Sequence, residues 1–299
     1  MRVFVTGASG WIGTPTVRKL VDAGHDVTGL ARSDDAAAKV AANGAAVARG
    51  SLDDLDIIAA EASRSDGVVH LAFRHDISFT GDYERAAASD RQAIDSIGVA
   101  LAGSERPLLI ASGTLGLAPG RVGTERDMPE TSSNARLANA EATLALAARG
   151  VRSIVVRFAP TVHGTGDHGF VATLVDIARQ TGVSGYLGDG TSRWPAVHVS
   201  DAADLVWRAI EKAPAGSVLH ATAEDGVTTR AIAEAIGQRF SVPVAQIPDD
   251  KAMEHFRFLG GIFGVDAPAS STLTRESLDW QPTGPGLLED IAAGAYRPE

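Results

Sequence analysis

The sequence predicts an α/β fold: a doubly wound parallel sheet of Rossmann type, followed by a smaller C-terminal α/β substrate lobe. Three observations predict it. Short β-branched runs alternate with helical patterns as far as Phe158. A glycine-rich turn joins the first strand to the first helix. The regular rhythm then stops near Pro160.

The elements follow in order. Arg2–Thr6 reads as a strand, and Ile12–Ala23 as a helix with Ile12, Val17, Leu20 and Val21 on one stripe, ending at Gly24. Asp26–Ala31 and Ala45–Arg49 are strands, with helices at Asp34–Ala42 and Leu52–Ala62. Gly67–Ala72 lacks alternation, as expected of a strand buried on both faces. Asp82–Ala102 is a long helix, Pro107–Ser112 a strand, Asn134–Arg149 a helix and Val151–Phe158 a strand. Beyond Pro160 the pattern gives helices at Phe170–Thr181, Asp201–Lys212 and Thr228–Phe240, an extended segment at Arg193–Val199 and a strand at Val218–Ala221. The tail holds Asp249–Leu259, a glycine-rich loop and Thr274–Leu278. Residues 1–160 are therefore expected to form one domain, with a return segment near 196–223, and 161–299 mainly a smaller, less regular lobe. Strand–helix alternation implies right-handed crossovers.

Composition narrows the function classes. The 299 residues are 44% hydrophobic and 21% charged, which supports a packed core. Cysteine count is 0, so disulfides, thiolate metal sites and cysteine nucleophiles are excluded. The net charge of -10 argues against a nucleic-acid or anionic-membrane surface. No apolar run reaches the roughly 18–20 residues that span a bilayer. Met1-Arg2 runs straight into Val3-Phe4-Val5, with no signal-like apolar stretch, so a cytoplasmic location is expected.

Thr6-Gly7-Ala8-Ser9-Gly10-Trp11-Ile12-Gly13 carries three glycines between a strand and a helix. A tight turn needs permissive φ, backbone must approach a pyrophosphate, and the helix N-terminus offers free N–H groups to it. NAD sites usually place an acid about 20 residues on, at the end of the second strand. Here Thr28-Gly29-Leu30-Ala31-Arg32-Ser33 has none. Arg32 instead offers a guanidinium suited to a 2′-phosphate and Ser33 a hydroxyl, so NADP(H) is expected over NAD(H).

At this point the chain resembles the extended or atypical short-chain dehydrogenase/reductase superfamily, which includes NAD-dependent epimerases and dehydratases. The resemblance rests on the glycine turn, Val69-His70-Leu71-Ala72, Ser112-Gly113-Thr114, Arg157 with Pro160 and Gly164, and Trp194-Pro195-Ala196-Val197-His198-Val199-Ser200-Asp201-Ala202. Leu278-Asp279-Trp280-Gln281-Pro282-Thr283 resembles the C-terminal signature. It implies that Leu52, Ala72, Ser112 and Pro160 join Thr6, Gly7, Ser9, Gly10, Trp11, Ile12 and Gly13 around the cofactor. It also implies a homodimer through Asp82–Ala102 and Asn134–Arg149, and a substrate pocket lined by Tyr186, Arg193, Trp194 and His168.

One departure stands out. Family enzymes carry Tyr-x-x-x-Lys on the helix after the Ser strand, and here Ser133 and Leu137 occupy those positions. Thr131–Arg152 contains neither Tyr nor Lys. The remaining catalytic candidates are Ser112 and Thr114 at the strand end, and His75, whose imidazole titrates in the useful range. Arg136, next to the missing Lys position, is a candidate for the cofactor ribose. His70 and His198 read as core histidines. His163, Asp167 and His168 fit no recognised ligand spacing, and no metal is expected. The function expected is an NADP(H)-binding oxidoreductase on a small carbonyl or activated alkene. The alternatives are a non-catalytic NADP(H)-binding redox sensor and, third, a sugar-nucleotide epimerase or dehydratase.

Overall fold

The computed structural model describes residues 1–78, 81–128 and 134–296. Ser133, expected at the tyrosine position, therefore lies outside the described residues. In the N-terminal half, β1 (Arg2–Thr6), β2 (Asp26–Ala31), β3 (Ala46–Arg49), β4 (Gly67–His70), β5 (Pro107–Gly113) and β6 (Arg152–Phe158) alternate with helices. These are α1 (Gly13–Asp22), α2 (Asp34–Ala42), α3 (Leu55–Arg64), the single turn α4 (His75–Ser78), α5 (Tyr83–Leu101) and α6 (Ala135–Ala145). Next come β7 (Thr161–His163), α7 (Phe170–Thr181), β8 (Ser184–Leu187), β9 (Arg193–His198), α8 (Val199–Lys212) and β10 (Ser217–Ala221). The chain closes with β11 (Glu224–Thr228), α9 (Thr229–Phe240), β12 (Val244–Ile247), α10 (Ala252–Phe256), α11 (Thr272–Leu278) and α12 (Leu287–Ala293).

Among the described residues the central sheet has seven strands in the order β10-β6-β5-β4-β1-β2-β3. Every pairing in it is parallel. The order reverses between β1 and β4, and this switch opens a crevice at their carboxyl ends. Both faces are covered, as the near-continuous apolar strands require. On one face α1 and α8 bury Val17, Leu20, Leu205 and Ala209. On the other, α3, α5 and α6 bury Ile58, Ile94, Ile97 and Ala140. The strand near Val218 is β10, which returns to the sheet edge beside β6.

The rest of the chain builds two small sheets, β11-β9-β7 and β12-β8. A third core gathers Trp194, Phe256 and Phe263, with the Trp194 and Phe263 rings 5.2 Å apart. Short strands of this kind escape a pattern reading because their pairing is non-local. Among the described residues no helix is long and apolar enough to cross a membrane.

Element ends differ from expectation for identifiable reasons. Helix α3 starts at Leu55 rather than Leu52, because the Asp54 carboxylate accepts from the Ser51 N–H (2.7 Å) and hydroxyl (2.9 Å) and closes a turn first. Strand β4 stops at His70, and the Ala72 N–H then donates to Thr6 Oγ1 at 3.3 Å. Asn134 is not helical but caps α6, accepting from the N–H groups of Arg136 and Leu137. His198, expected as a core histidine, instead caps α8 through Ser200.

Buried polar contacts tie the tail to β10. The His220 N–H donates to Thr274 Oγ1 at 2.8 Å, and that hydroxyl donates to Glu125 at 2.7 Å. The His220 ring donates from Nδ1 to the Ser270 carbonyl at 2.7 Å, and Arg157 faces its Nε2 at 3.4 Å. Burial pushes this imidazole down to about 4, with Arg157 acting in the same direction. Between pH ~6.5 and this value the unfolded chain binds a proton that the folded chain refuses. Stability therefore falls as pH falls through that window, by up to about 3 kcal/mol. In urea unfolding measured across the window, His220→Asn should flatten this dependence; an unchanged slope would rule out His220 as its source.

Candidate active site

The site begins at the exit of β1. Gly7 has φ +69, and a Cβ there would lie 2.7 Å from the Ala72 nitrogen. A Cβ on Gly13 would sit 1.9 Å from the Gly7 carbonyl oxygen. Glycine is thus required at both positions by close backbone approach. Helix α1 starts with no side-chain cap and no acidic residue in its first turn. Its positive end is left to a ligand. Helices α3, α7 and α11 also lack a side-chain cap, whereas α2, α5, α6 and α9 are capped by Ser33, Asp82, Asn134 and Thr228.

This turn forms part of a cleft of about 930 Å³. Gly7, Ser9, Gly10, Trp11, Ile12 and Gly13 line it, with Arg32, Leu52, Ala72, His75, Pro160 and His168. Of the expected cofactor residues, Thr6, Ser33 and Ser112 are not on its wall. Thr6 is buried, its hydroxyl 2.8 Å from His70 Nδ1. His70 Nε2 is 3.1 Å from Asp90, whose other oxygen accepts from Asn139 at 2.8 Å. Burial opposes ionisation of Asp90, but His70, Arg136 and Asn139 hold its pKa below the ordinary range. Ser33 accepts from the Ala36 N–H as the cap of α2.

At the end of β2, Arg32 pairs with Asp76 at 3.2 Å. Arg74 bridges Asp53 at 2.8 Å and Asp76 at 3.1 Å. Asp34 is turned to solvent and held by Arg49 at 2.6 Å.

The three catalytic candidates separate. His75 lines the cleft, with its ring 5.3 Å from that of Phe73. Desolvation and the nearby Arg136 push its pKa down, which favours the neutral imidazole. Ser112 lies inside β5 in register with Arg157, buried, its hydroxyl without a hydrogen-bond partner. Thr114 is buried and directed at the Phe158 carbonyl, 3.5 Å away. The Arg136 guanidinium lies 4.2 Å from the Phe73 ring centre.

The expected substrate residues also separate. His168 reaches the cleft, edge-on to Trp11 at 5.7 Å. The other three stand elsewhere. Trp194 is 0% exposed within the third core, where its indole bonds the Val265 carbonyl. Arg193 is held by Asp266 at 2.8 Å. Tyr186 stands on β8 against Arg230. None of these three lines the cleft.

Other residues take their position, among them Asp167 from the loop between His163 and His168, and Phe258, which the sequence leaves open between core and pocket lid. Phe73, Arg74, Asp167, Phe170, Thr173 and Phe258 are on the wall. Asp167 accepts from the Gly169 N–H at 2.7 Å and from the Tyr296 hydroxyl at 2.9 Å. Burial raises its pKa, whereas Asp76 is lowered by Arg74 and Arg32. Tyr296 lies 129 positions away in sequence, so no local signal links the two. Beside this loop, His163 bonds Asp290 at 2.6 Å beneath the surface. Among the described residues no group of three ligand side chains is arranged for a metal.

The turn geometry gives a direct test. Gly13→Ala should abolish nicotinamide-nucleotide binding and lower stability by about 1–3 kcal/mol, the usual range for overpacking. Retained affinity in a fluorescence titration would show that the turn does not carry the ligand.

Comparison with known proteins agrees with this geometry. An uncharacterized protein of Schizosaccharomyces pombe is 45% identical over 298 residues, covering 99% of this chain and 100% of that protein. A 4-hydroxy-2-methyl-3-oxo-4-farnesyl-3,4-dihydroquinoline-1-oxide ketoreductase of Stigmatella aurantiaca is 27% identical over 231 residues, covering 74% and 68%. The crystal structure of dTDP-glucose 4,6-dehydratase from Streptomyces venezuelae with NAD bound superposes with a TM-score of 0.79 at 18% identity. That match covers 99% of this chain and 96% of the other, and shows the shared fold. The model of the NAD dependent epimerase/dehydratase family matches residues 3–221, and the chain belongs to that family.

Proposed function

We propose that the protein is an NADP(H)-dependent oxidoreductase acting on a small carbonyl compound or activated alkene. The observation that carries this is the cleft floored by an uncapped helix N-terminus and a turn in which Gly7 and Gly13 admit no side chain. The ketoreductase relative supports the reaction class. The segments up to β6, with β10, hold the nucleotide, and the segments after Pro160 close over the substrate. The same reading carries a cytoplasmic location and a homodimer through α5 and α6, where Val99 is exposed.

Backbone N–H groups of residues 11–13 hold the pyrophosphate, while that of Gly10 closes the turn on the Gly7 carbonyl, and Arg32 meets the 2′-phosphate in exchange for Asp76. When bound, the reduced nicotinamide supplies a hydride to the substrate carbon. Asp167 supplies the matching proton to the oxygen, leaving a carboxylate that solvent reprotonates. Its burial keeps the proton on to higher pH than an ordinary carboxyl would. Tyr296 and the Gly169 N–H fix the orientation of the carboxyl and steady the carboxylate formed. His75 stays neutral and shapes the wall beside Phe73.

Two outcomes are expected. Asp167→Asn should reduce kcat by roughly 10²–10⁴-fold, with NADPH affinity kept. The wild-type kcat should decline as pH rises through the raised pKa of Asp167, and the variant should lose that limb. An unchanged kcat would remove Asp167 from proton transfer. Arg32→Ala should weaken NADPH by about 10- to 100-fold, since a hydrogen bond to a charged group contributes ~1.5–3 kcal/mol, and NADH far less. Equal losses for both nucleotides would contradict the 2′-phosphate role. Tight NADPH binding with no turnover across a carbonyl and enone panel would favour a redox sensor.

A further inference from the structure

We propose that the substrate end of the cleft takes an uncharged aromatic carbonyl compound and rejects phosphorylated or carboxylated ones, sugar nucleotides included. This rests on the oxidoreductase reading and specifies its substrate class. The charge inventory of the wall is the first argument. Among the described residues the lining holds two fixed cations, Arg32 and Arg74. Both lie at the end of the cleft near the Asp53 loop, and each is already paired with an acid. The other end, beyond Pro160, is walled by Phe170, Thr173, Phe258, Asp167 and His168, with Trp11 at the junction. It contains no Arg or Lys. A phosphate or carboxylate lodged there would lose water and meet only the uncapped N-terminus of α7, with no Arg or Lys beside it.

The shape of that end is the second argument. The Phe170 and Phe258 rings are 6.1 Å apart and edge-on. Phe256 and Leu259 are buried, while Phe258 is 45% exposed. The chain is forced into this presentation: Arg257 has φ 56, and a Cβ on Gly260 would meet the Ala252 carbonyl oxygen at 2.5 Å. The turn thus holds a large apolar ring at the lip of the cleft, against the ordinary preference for burial. A flat apolar ligand would cover Phe258 and stack on the aromatic wall. The carboxyl of Asp167 remains to orient one polar atom, since the Thr173 hydroxyl already donates to the Gly169 carbonyl at 2.9 Å.

The test uses two pairs matched in size. With NADPH-saturated protein, 4-isopropylbenzyl alcohol and 4-(hydroxymethyl)benzoate are titrated by quenching of nicotinamide fluorescence, with UDP-glucose as a third ligand. 4-Isopropylbenzaldehyde and 4-carboxybenzaldehyde are compared by NADPH consumption. The neutral member of each pair should be favoured by about tenfold or more in Kd and kcat/KM, close to 1.4 kcal/mol. UDP-glucose should bind no better than the benzoate. Phe258→Ser should weaken the neutral alcohol and raise KM for the neutral aldehyde, with the Kd for NADPH unchanged. The proposal is overturned by equal or tighter binding of the anionic members, by tight UDP-glucose binding, by binding of none of the three ligands, or by indifference to Phe258→Ser. If the neutral alcohol wins in binding but neither aldehyde is reduced, the substrate-end assignment stands and the oxidoreductase reading fails.

Discussion

The cleft depends on how closely β1 and β4 leave the sheet together. Thr6 Oγ1 accepts from the Ala72 N–H and contacts His70, and His70 passes the contact on to Asp90 and Asn139. With the Thr6 hydroxyl donating to Nδ1, the imidazole donates from Nε2 to Asp90, and every polar member of the chain is satisfied in a buried setting. This brings the backbone at Ala72 against Gly7, where no Cβ fits. The crossing fixes the height of the glycine turn above the sheet. It also anchors α5 and α6, which carry Asp90 and Asn139, to the strands they cover.

Two halves of the cleft follow from two kinds of support. The end near β2 and β3 is ionic, with Arg32, Arg74, Asp53 and Asp76 linked in one network. Such partly exposed pairs exchange readily for a phosphate. The end beyond Pro160 is built by the tail. Tyr296 holds Asp167, and Asp290 holds His163, so the loop joining His163 to Asp167 is held by α12 and by the turn that follows it. The two ends of the cleft are therefore held by different parts of the chain.

Much of the first half is readable from the sequence, because its signals are local. The turn from Thr6 to Gly13 announces itself by three glycines between a strand and a helix, and the buried strand Gly67–His70 by its unbroken apolar run. Ser112 and Trp194 are different. Both sit in motifs shared with the family, yet their side chains are buried away from the cleft. A motif marks where the backbone goes, while exposure is set by packing from distant segments. For the same reason the sequence marks Asp167 only as a loop residue between two histidines, and Phe258 only as core or pocket lid. One depends on Tyr296, the other on a turn whose strained residue is Arg257 rather than a glycine. His198 reads as a strand residue, and its role as a helix cap appears only where β9 meets α8.

The central claim is that the cleft beside the glycine turn binds a reduced nicotinamide dinucleotide. Titration of the wild-type protein with NADPH and NADH, after any carried nucleotide is removed, tests it most directly through nicotinamide fluorescence. The account predicts saturable one-site binding of NADPH, tighter than that of NADH. Absence of saturable binding by either nucleotide would contradict it.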